Sequence, residues 1–332
     1  MKVGITYDLR DEYLKMGMSE EDTAEFDRVD TIEAIDNALT RLGHLTDRIG
    51  TVHNLIKRLA KGDRWDLVFN IAEGVSGFGR EAQVPAVLDA FDIPYTFSGP
   101  MVLALTLHKG MTKHIVRDLN IPTPDFVVVN KPSELKKIAL PLPLFVKPVA
   151  EGSSKGIYPQ SKVTKKRDLM PACIRLMERF EQPVLVETYL PGREFTVGIV
   201  GTGRAARSIG VIEVLARTEG NDVYSYENKE NYQELVEYRL ATGKISAEAE
   251  SVALEAWRGL GCRDAGRVDV KADETGIVNF LEINPLAGLN PVRSDLCIIA
   301  RKVGISYEAL IGEIMSSAIE RMTLKAKLAK GA

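Results

Sequence analysis

The stretch Gly266-Arg267-Val268-Asp269-Val270, a polar turn at Lys271-Ala272-Asp273-Glu274-Thr275-Gly276, and then Phe280-Leu281-Glu282-Ile283-Asn284-Pro285 decides how the chain reads. Side chains on a strand alternate between two faces. Arg267 and Asp269 therefore share one face and Val268 and Val270 the other; Glu282 and Asn284 share a face opposite Leu281 and Ile283. The turn-rich middle predicts a hairpin. Paired, the two strands gather Asp269, Glu282, Asn284 and Arg267 on one surface. Three oxygen donors without His or Cys suit a hard cation such as Mg²⁺, not zinc. The bland alternative is a solvated sheet face. Against it stand strand bodies too apolar for an edge and the abrupt stop at Asn284-Pro285.

Around this hairpin the C-terminal part reads as an antiparallel sheet with strands at 194–200 and 208–214, preceded by a strand at 184–190, and with long helices at 246–260, 291–303 and 306–328. Residues 217–234, with Tyr224, Tyr226 and Lys229, are polar and have no core of their own, so they read as an active-site lid or as disorder. Upstream, Lys147 lies inside the apolar strand Leu144–Pro148 and calls for an anion, because a lone buried ammonium is costly. Glu151-Gly152-Ser153-Ser154-Lys155-Gly156 follows, a Gly/Ser loop whose N–H groups and hydroxyls can cradle phosphate oxygens. Alone such a loop is an ordinary turn; the lysine upstream strengthens the phosphate reading. A single long helix is expected over Pro100–Leu119, carrying Lys109 and Lys113, then a break at Ile121–Pro124 and a strand over Phe126–Val129.

Residues 1–98 alternate β and α, as in a small parallel α/β domain. Strands are expected over Lys2–Tyr7, Asp66–Ile71 and Tyr95–Ser98, with Asp8–Asp27 a long loop. The glycine-rich loop Ala72–Arg80 matches neither GxxxxGK[ST] nor GxGxxG after the first strand, which leaves substrate-side chemistry and plain turn geometry both open. The fold class is thus α/β with an α+β C-terminal part, divided as 1–98, 99–187 and 188–332.

The 332 residues carry a net charge of −3 with lysine and arginine interspersed among acids, which speaks against a nucleic-acid partner. No apolar run approaches the ~20 residues of a membrane span, and Met1–Tyr7 reads as a strand, not a signal peptide. The cysteines, Cys173, Cys262 and Cys297, follow no metal spacing and read as reduced core residues of a cytoplasmic protein. The histidines never cluster, so a His-based metal site or a Ser-His-Asp triad is not indicated.

Six spaced motifs in order, namely Lys109, Phe145-Val146-Lys147-Pro148, Glu151–Gly156, Val186-Glu187 with Glu194-Phe195-Thr196-Val197, Gly266–Asp269 and Leu281–Pro285, resemble the ATP-grasp ligases, and within them the D-alanine–D-alanine ligase family. The resemblance implies ATP and two Mg²⁺ ions (Mn²⁺ as an alternative), with Asp269, Glu282 and Asn284 as metal ligands. It implies phosphate contacts from Lys109, Lys147 and the loop Glu151, Gly152, Ser153 and Ser154; adenine at Glu187, Thr188, Tyr189 and Leu190; ribose at Glu194; and Lys229 on a closing loop. Arg267, Ser153 and Gly288 take catalytic positions, Arg267 and Gly288 around the tetrahedral centre. The implied reaction activates a carboxylate as an acyl phosphate, which an amine then attacks to form a peptide bond. Small amino-acid or peptide substrates, a homodimer through the N-terminal half and a part in cell-wall biogenesis come with it.

The substrate end departs from the family. Glu25 or Asp27 stands near the family's glutamate before the first helix, Glu73-Gly74 replaces its His-Gly pair, and Glu230, with Tyr232 nearby, takes the lid-tyrosine position. The loop after Asn284 is about one residue longer and carries Arg293 and Ser294. Glu73 and Glu230 fit an amine and Arg293 a carboxylate; each reads equally as a solvated charge. Alternatives kept open are an ATP-grasp ligase for another acid and a non-catalytic ATP-binding relative.

Overall fold

The computed structural model describes residues 1–216 and 236–331; the expected lid, with Tyr224, Tyr226, Lys229, Glu230 and Tyr232, lies outside them. β1 (Lys2–Thr6), β2 (Leu45–Gly50) and β3 (Leu67–Asn70) form a parallel sheet in the order β2-β1-β3. Asp8–Asp27 is not loop throughout: it contains the short helix α1 (Arg10–Lys15) and returns beside β1 through a bridge between Leu9 and Asp27. α2 (Val29–Arg41) and α3 (Val52–Ala60) make the crossovers, and α4 (Gln83–Ala90) follows the glycine loop. The expected strand at Tyr95–Ser98 is reduced to one bridge, Val68 with Tyr95, because Phe97 turns to φ +71 and ends the extended run.

The helix expected over 100–119 is two helices, α5 (Pro100–Leu107) and α6 (Lys109–Asp118), broken at His108 with φ −87° and ψ 89°. The His108 ring accepts from the Met111 N–H at 3.2 Å and caps α6. Apolar periodicity runs through the break, so the sequence hides it. The break puts Lys109 at a helix start, its N–H donated to the Val149 carbonyl at 3.0 Å.

β4 (Phe126–Val129), β5 (Leu144–Pro148), β6 (Lys162–Val163) and β7 (Val184–Thr188) form an antiparallel sheet in the order β4-β7-β5-β6. α7 (Lys166–Phe180) covers one face of it with Leu169, Ala172, Cys173 and Leu176.

β8 (Glu194–Val200), β9 (Arg207–Ala216), β10 (Val236–Leu240), β11 (Ala265–Ala272) and β12 (Val278–Asn284) form the largest sheet, antiparallel, in the order β10-β9-β8-β11-β12. One face buries Phe195, Val197, Val268, Val270 and Phe280 with Trp257 of α8 (Lys244–Gly259). Each such side chain contributes about 1.5–3 kcal/mol by leaving water. β12 is the outer strand, contrary to the sequence reading. Its edge is covered: Phe280 N–H donates to the Pro122 carbonyl at 2.7 Å, and Thr123 Oγ1 donates to the Phe280 carbonyl at 2.9 Å. α9 (Asp295–Lys302) and α10 (Tyr307–Gly331) close the chain. Ile32, Ile35 and Leu39 of α2 share a core with Leu310, Ile311 and Ile314 of α10. Among the described residues no helix is long and apolar enough to cross a membrane.

Candidate active site

The register of β11 builds the site. Arg267 pairs with Asn284 and Asp269 with Glu282 across β12; Asp269 pairs with Thr196 and Lys271 with Glu194 across β8. The apolar partners in the alternation go to the core, so the polar ones share the opposite face. A bulge between Asp269 and Val270 leaves Leu281 as the extra residue, and Leu281 lines the site instead of packing behind it, which corrects its assigned face. Thr196 Oγ1 donates to Asp269 Oδ1 at 2.7 Å, and Lys271 Nζ meets Glu194 Oε2 at 2.8 Å. Arg267 is ion-paired with Asp295 and lies 3.6 Å from Asp269 Oδ2. In the amide orientation that satisfies both partners, Asn284 accepts from Arg267 Nη2 and Nε at 3.0 and 3.3 Å. Burial raises the Asp269 carboxyl above its ordinary range and neighbouring Glu282 adds to this, outweighing Arg267.

Two cavities adjoin this face, of about 220 and 120 Å³, and both are lined by Tyr238, Arg267, Glu282 and Asp295. The hairpin is therefore the wall between them. Asp269 faces the smaller and Asn284 the larger.

The smaller cavity lies between β5 and β7 on one side and the large sheet on the other. Lys147, Ser154, Glu187, Thr188, Tyr189, Leu190 and Glu194 all line it. Lys147 Nζ meets Glu187 Oε1 at 2.8 Å, so its anion is first of all a protein carboxylate. Lys113, fully buried, meets the other oxygen at 2.9 Å and Thr123 Oγ1 at 2.8 Å. Burial draws Lys113 down to about 8, with Glu187 opposing. Burial also pulls on Lys147, but Glu187 and Glu282 outweigh it and hold the ammonium above its ordinary value. Tyr189 stacks on Phe145, centroids 6.4 Å apart, with Lys162 4.2 Å from its ring.

The larger cavity takes Lys109, Glu151, Gly152 and Ser153 of the residues read as nucleotide contacts, and Glu25, Asp27, Glu73, Gly288, Arg293 and Ser294. Lys109 Nζ donates to the Glu151 carbonyl and lies 3.6 Å from Glu282 Oε2. The Glu151 side chain is committed to Gln182 and Lys155. Ser153 and Ser154 both stand at positive φ, 50° and 58°, which turns their hydroxyl-bearing loop between the cavities. Glu25 accepts from Arg80 Nη2 at 2.9 Å, from the Gly152 N–H, and from Lys155 Nζ at 3.2 Å. Burial opposes its charge, yet Arg80 and Lys155 hold its carboxyl near 2. Asp27 goes the other way, to about 7, through burial, with Asp8 and Asp30 adding to it. Arg293 Nη2 is paired with Asp30 at 2.8 Å, and Ser294 Oγ accepts from the Asn290 N–H at 2.9 Å.

Sequence reasoning missed Lys271, Thr196, Lys113, Asp295, Arg80, Lys155 and Glu81. Lys271 is one further step in the alternation of Arg267 and Asp269, and Thr196 is two residues from Glu194, so period two was the available signal. Arg80, Glu81 and Lys155 carry no local signal; they meet the site only through the closure of separate loops.

The family model described as D-ala D-ala ligase C-terminus matches residues 115–316. D-alanine–D-alanine ligase of Polaromonas naphthalenivorans is 38% identical over 252 residues, covering 73% of this chain and 75% of that protein. The Bordetella avium enzyme of the same name is 36% identical over 247 residues, covering 73% and 75%. Among solved structures, D-alanine–D-alanine ligase from Bacillus anthracis complexed with ATP has a TM-score of 0.73 at 22% identity, covering 98% of this chain and 99% of that one. VanG D-Ala:D-Ser ligase from Enterococcus faecalis has a TM-score of 0.74 at 18% identity, covering 96% and 99%. These structural likenesses show the expected ATP-grasp fold. With the family model spanning more than half of it and relatives this similar over most of their length, the chain belongs to the D-alanine–D-alanine ligase family.

Proposed function

We propose that the protein is an ATP-dependent carboxylate–amine ligase that forms an amide bond through an acyl phosphate, releasing ADP and phosphate. The observation that carries this is the acidic hairpin face standing between two cavities, with Lys147 and Lys271 in the smaller and Lys109 in the larger. The smaller cavity would take the nucleotide, with adenine along Thr188–Leu190, ribose at Glu194, and phosphates toward Lys147, Ser154 and Lys109. Lys271 fixes Glu194 for that contact. Asp269, Glu282 and Asn284 fit two Mg²⁺ ions, or Mn²⁺. All three offer oxygen, and the Asp269 carboxyl, raised chiefly by burial with Glu282 adding to it, would gain a charge partner in a divalent cation. Bound there, such ions supply charge neutralisation for phosphoryl transfer.

The chain's own groups do the rest. Arg267, held by Asp295 and Asn284, presents its guanidinium where the cavities meet and would stabilise the oxyanion of the second step, a role worth a few kcal/mol. The Gly288 backbone lines the same wall. Glu25 holds the Ser153 loop through the Gly152 N–H, so Ser153 is placed by residues of the N-terminal part.

The substrates are two small amino acids or peptides, D-alanine or another. Glu73, where the family carries histidine, supports an acid other than D-alanine; Arg293 and Ser294 border the part of the cavity suited to a carboxylate. Three units at 1–98, 99–187 and 188–332, a homodimer and a cytoplasmic location complete this reading.

An ADP-release screen with D- and L-amino acids and dipeptides, singly and in pairs, with hydroxylamine added to trap acyl phosphate, tests it. The expected result is ADP and a hydroxamate with at least one acid. Nucleotide binding without hydroxamate from any acid would leave only a non-catalytic relative.

A further inference from the structure

Gly74 stands at φ +71 and donates its N–H to Asp8 Oδ2 at 2.9 Å. A Cβ there would lie 2.5 Å from the Arg80 carbonyl oxygen. The glycine loop thus closes on itself, and the acids at its two ends, Glu73 and Glu81, come together in the wall of the larger cavity. Glu81 is only 8% exposed. Neither carboxylate makes a hydrogen bond or ion pair with any described residue.

Most of the other acids of that wall are occupied; Asp27, with Thr31 beside it, has no ion pair among the described residues and adds its charge to Glu73. Glu25 is taken by Arg80, Lys155 and the Gly152 N–H; Glu151 by Lys155 and Gln182; Asp295 by Arg267; and Glu282 has Lys109 at 3.6 Å. The cation beside Glu81 in sequence, Arg80, spends its guanidinium on Glu25 and the Ala150 carbonyl. Burial pushes Glu81 to about 7, and pushes Glu73 up as well, with Glu81 and Glu25 adding to it. Glu81 is buried with no protein partner among the described residues and has the half-buried Glu73 beside it, which is costly. What would relieve the cost is a cation brought by a ligand.

We propose that Glu73 and Glu81 form a subsite for a positively charged nitrogen of the amino-acid substrate. This rests on the ligase reading and assigns the ammonium to this pair, not to Glu25, whose oxygens are already used. The nitrogen comes either from the α-ammonium or from a side-chain ammonium.

Titration calorimetry of the full chain with Mg²⁺ and a non-hydrolysable ATP analogue tests this, using both enantiomers of alanine and ornithine, and propionate as the acid without nitrogen. Alanine or ornithine is expected to bind at least ~10-fold more tightly than propionate, and Glu73→Gln and Glu81→Gln each to weaken that binding by about 10-fold or more. Near pH 7 binding should release protons, seen as heats that vary with the buffer's ionisation enthalpy, and Glu81→Gln should diminish the release. Ornithine far tighter than alanine assigns a side-chain ammonium; comparable binding assigns the α-ammonium. Analogue affinity in the same titrations reports that the variants are folded. Propionate binding as well as the amines, undiminished affinity in both variants, or no binding of any probe overturns the subsite. The ligase reading is decided separately, by ADP release across the wider acid screen.

Discussion

Glu81 and Glu187 are both buried acids, and their surroundings send them in opposite directions. Glu187 has a lysine on each oxygen; burial opposes its charge, but Lys113 and Lys147 pull its carboxyl below the ordinary range. Lys113→Met leaves one of those oxygens without its cation inside the protein. It should cost on the order of 3 kcal/mol in urea unfolding. Glu81 has no such partner, and its folded value of about 7 lies above the usual carboxylate value of 4.5. A raised carboxyl binds its proton more tightly in the folded state. Its stabilisation is therefore complete below about pH 4.5 and is lost as pH rises through about 7. Glu81→Gln removes this dependence. The variant should melt at the wild-type temperature or below near pH 5 and gain on the wild type by up to about 2 kcal/mol by pH 8. A constant difference across that range would show that Glu81 is paired in solution. From sequence, Lys147 could be read because an ammonium inside an apolar strand demands an anion. Its anion proved to be Glu187, and nothing local says so, because the two meet only across the β5–β7 pairing.

At the level of elements, the β11–β12 hairpin was legible and the helix break was not. Alternation with period two survives in any single strand, so the shared face of Arg267, Asp269, Glu282 and Asn284 followed from the residues. The bulge at Leu281 did not, since it arises from pairing with β11. The break at His108 is set by the cap and the Val149 contact, while the apolar run through it continues a helical pattern. Gly266 shows how tightly the hairpin is seated: a Cβ there would lie 2.4 Å from the Asn284 carbonyl oxygen and 2.6 Å from the Trp257 ring. Gly266→Ala must push β12 or α8 aside. We expect a loss of about 1–3 kcal/mol from overpacking, accompanied by a fall in ADP release, because Asn284 moves with the strand. Unaltered stability and turnover would contradict this seating.

Across the whole molecule, the N-terminal segment 19–28 fastens to the central sheet unit. Tyr158 Oη donates to Glu21 at 2.7 Å, Arg179 reaches Glu21 and Asp22 at 3.0 and 2.8 Å, and Arg80 spans Glu25 and the Ala150 carbonyl. Exposure decides which of these contacts matters. Arg179 is 40% exposed, so Arg179→Ala should change stability by less than ~1 kcal/mol. The side chains of Arg80 and Glu25 are each 7% exposed, and Arg80→Ala should cost on the order of 3 kcal/mol by stranding Glu25. Equal losses from the two variants in denaturant unfolding would contradict this ranking. Such clamps join residues 55 to 158 positions apart, which is why the order of motifs was readable while the partners of Glu25 were not. The central claim is that the hairpin face is the metal end of the ligase site. Its most direct test is ADP release by Asp269→Asn and Glu282→Gln, measured with an acid and amine pair that the wild type accepts. Both variants should remain folded and lose at least ~100-fold in ADP release, as expected when charge neutralisation for phosphoryl transfer is removed. ADP release at the wild-type rate in both would contradict it.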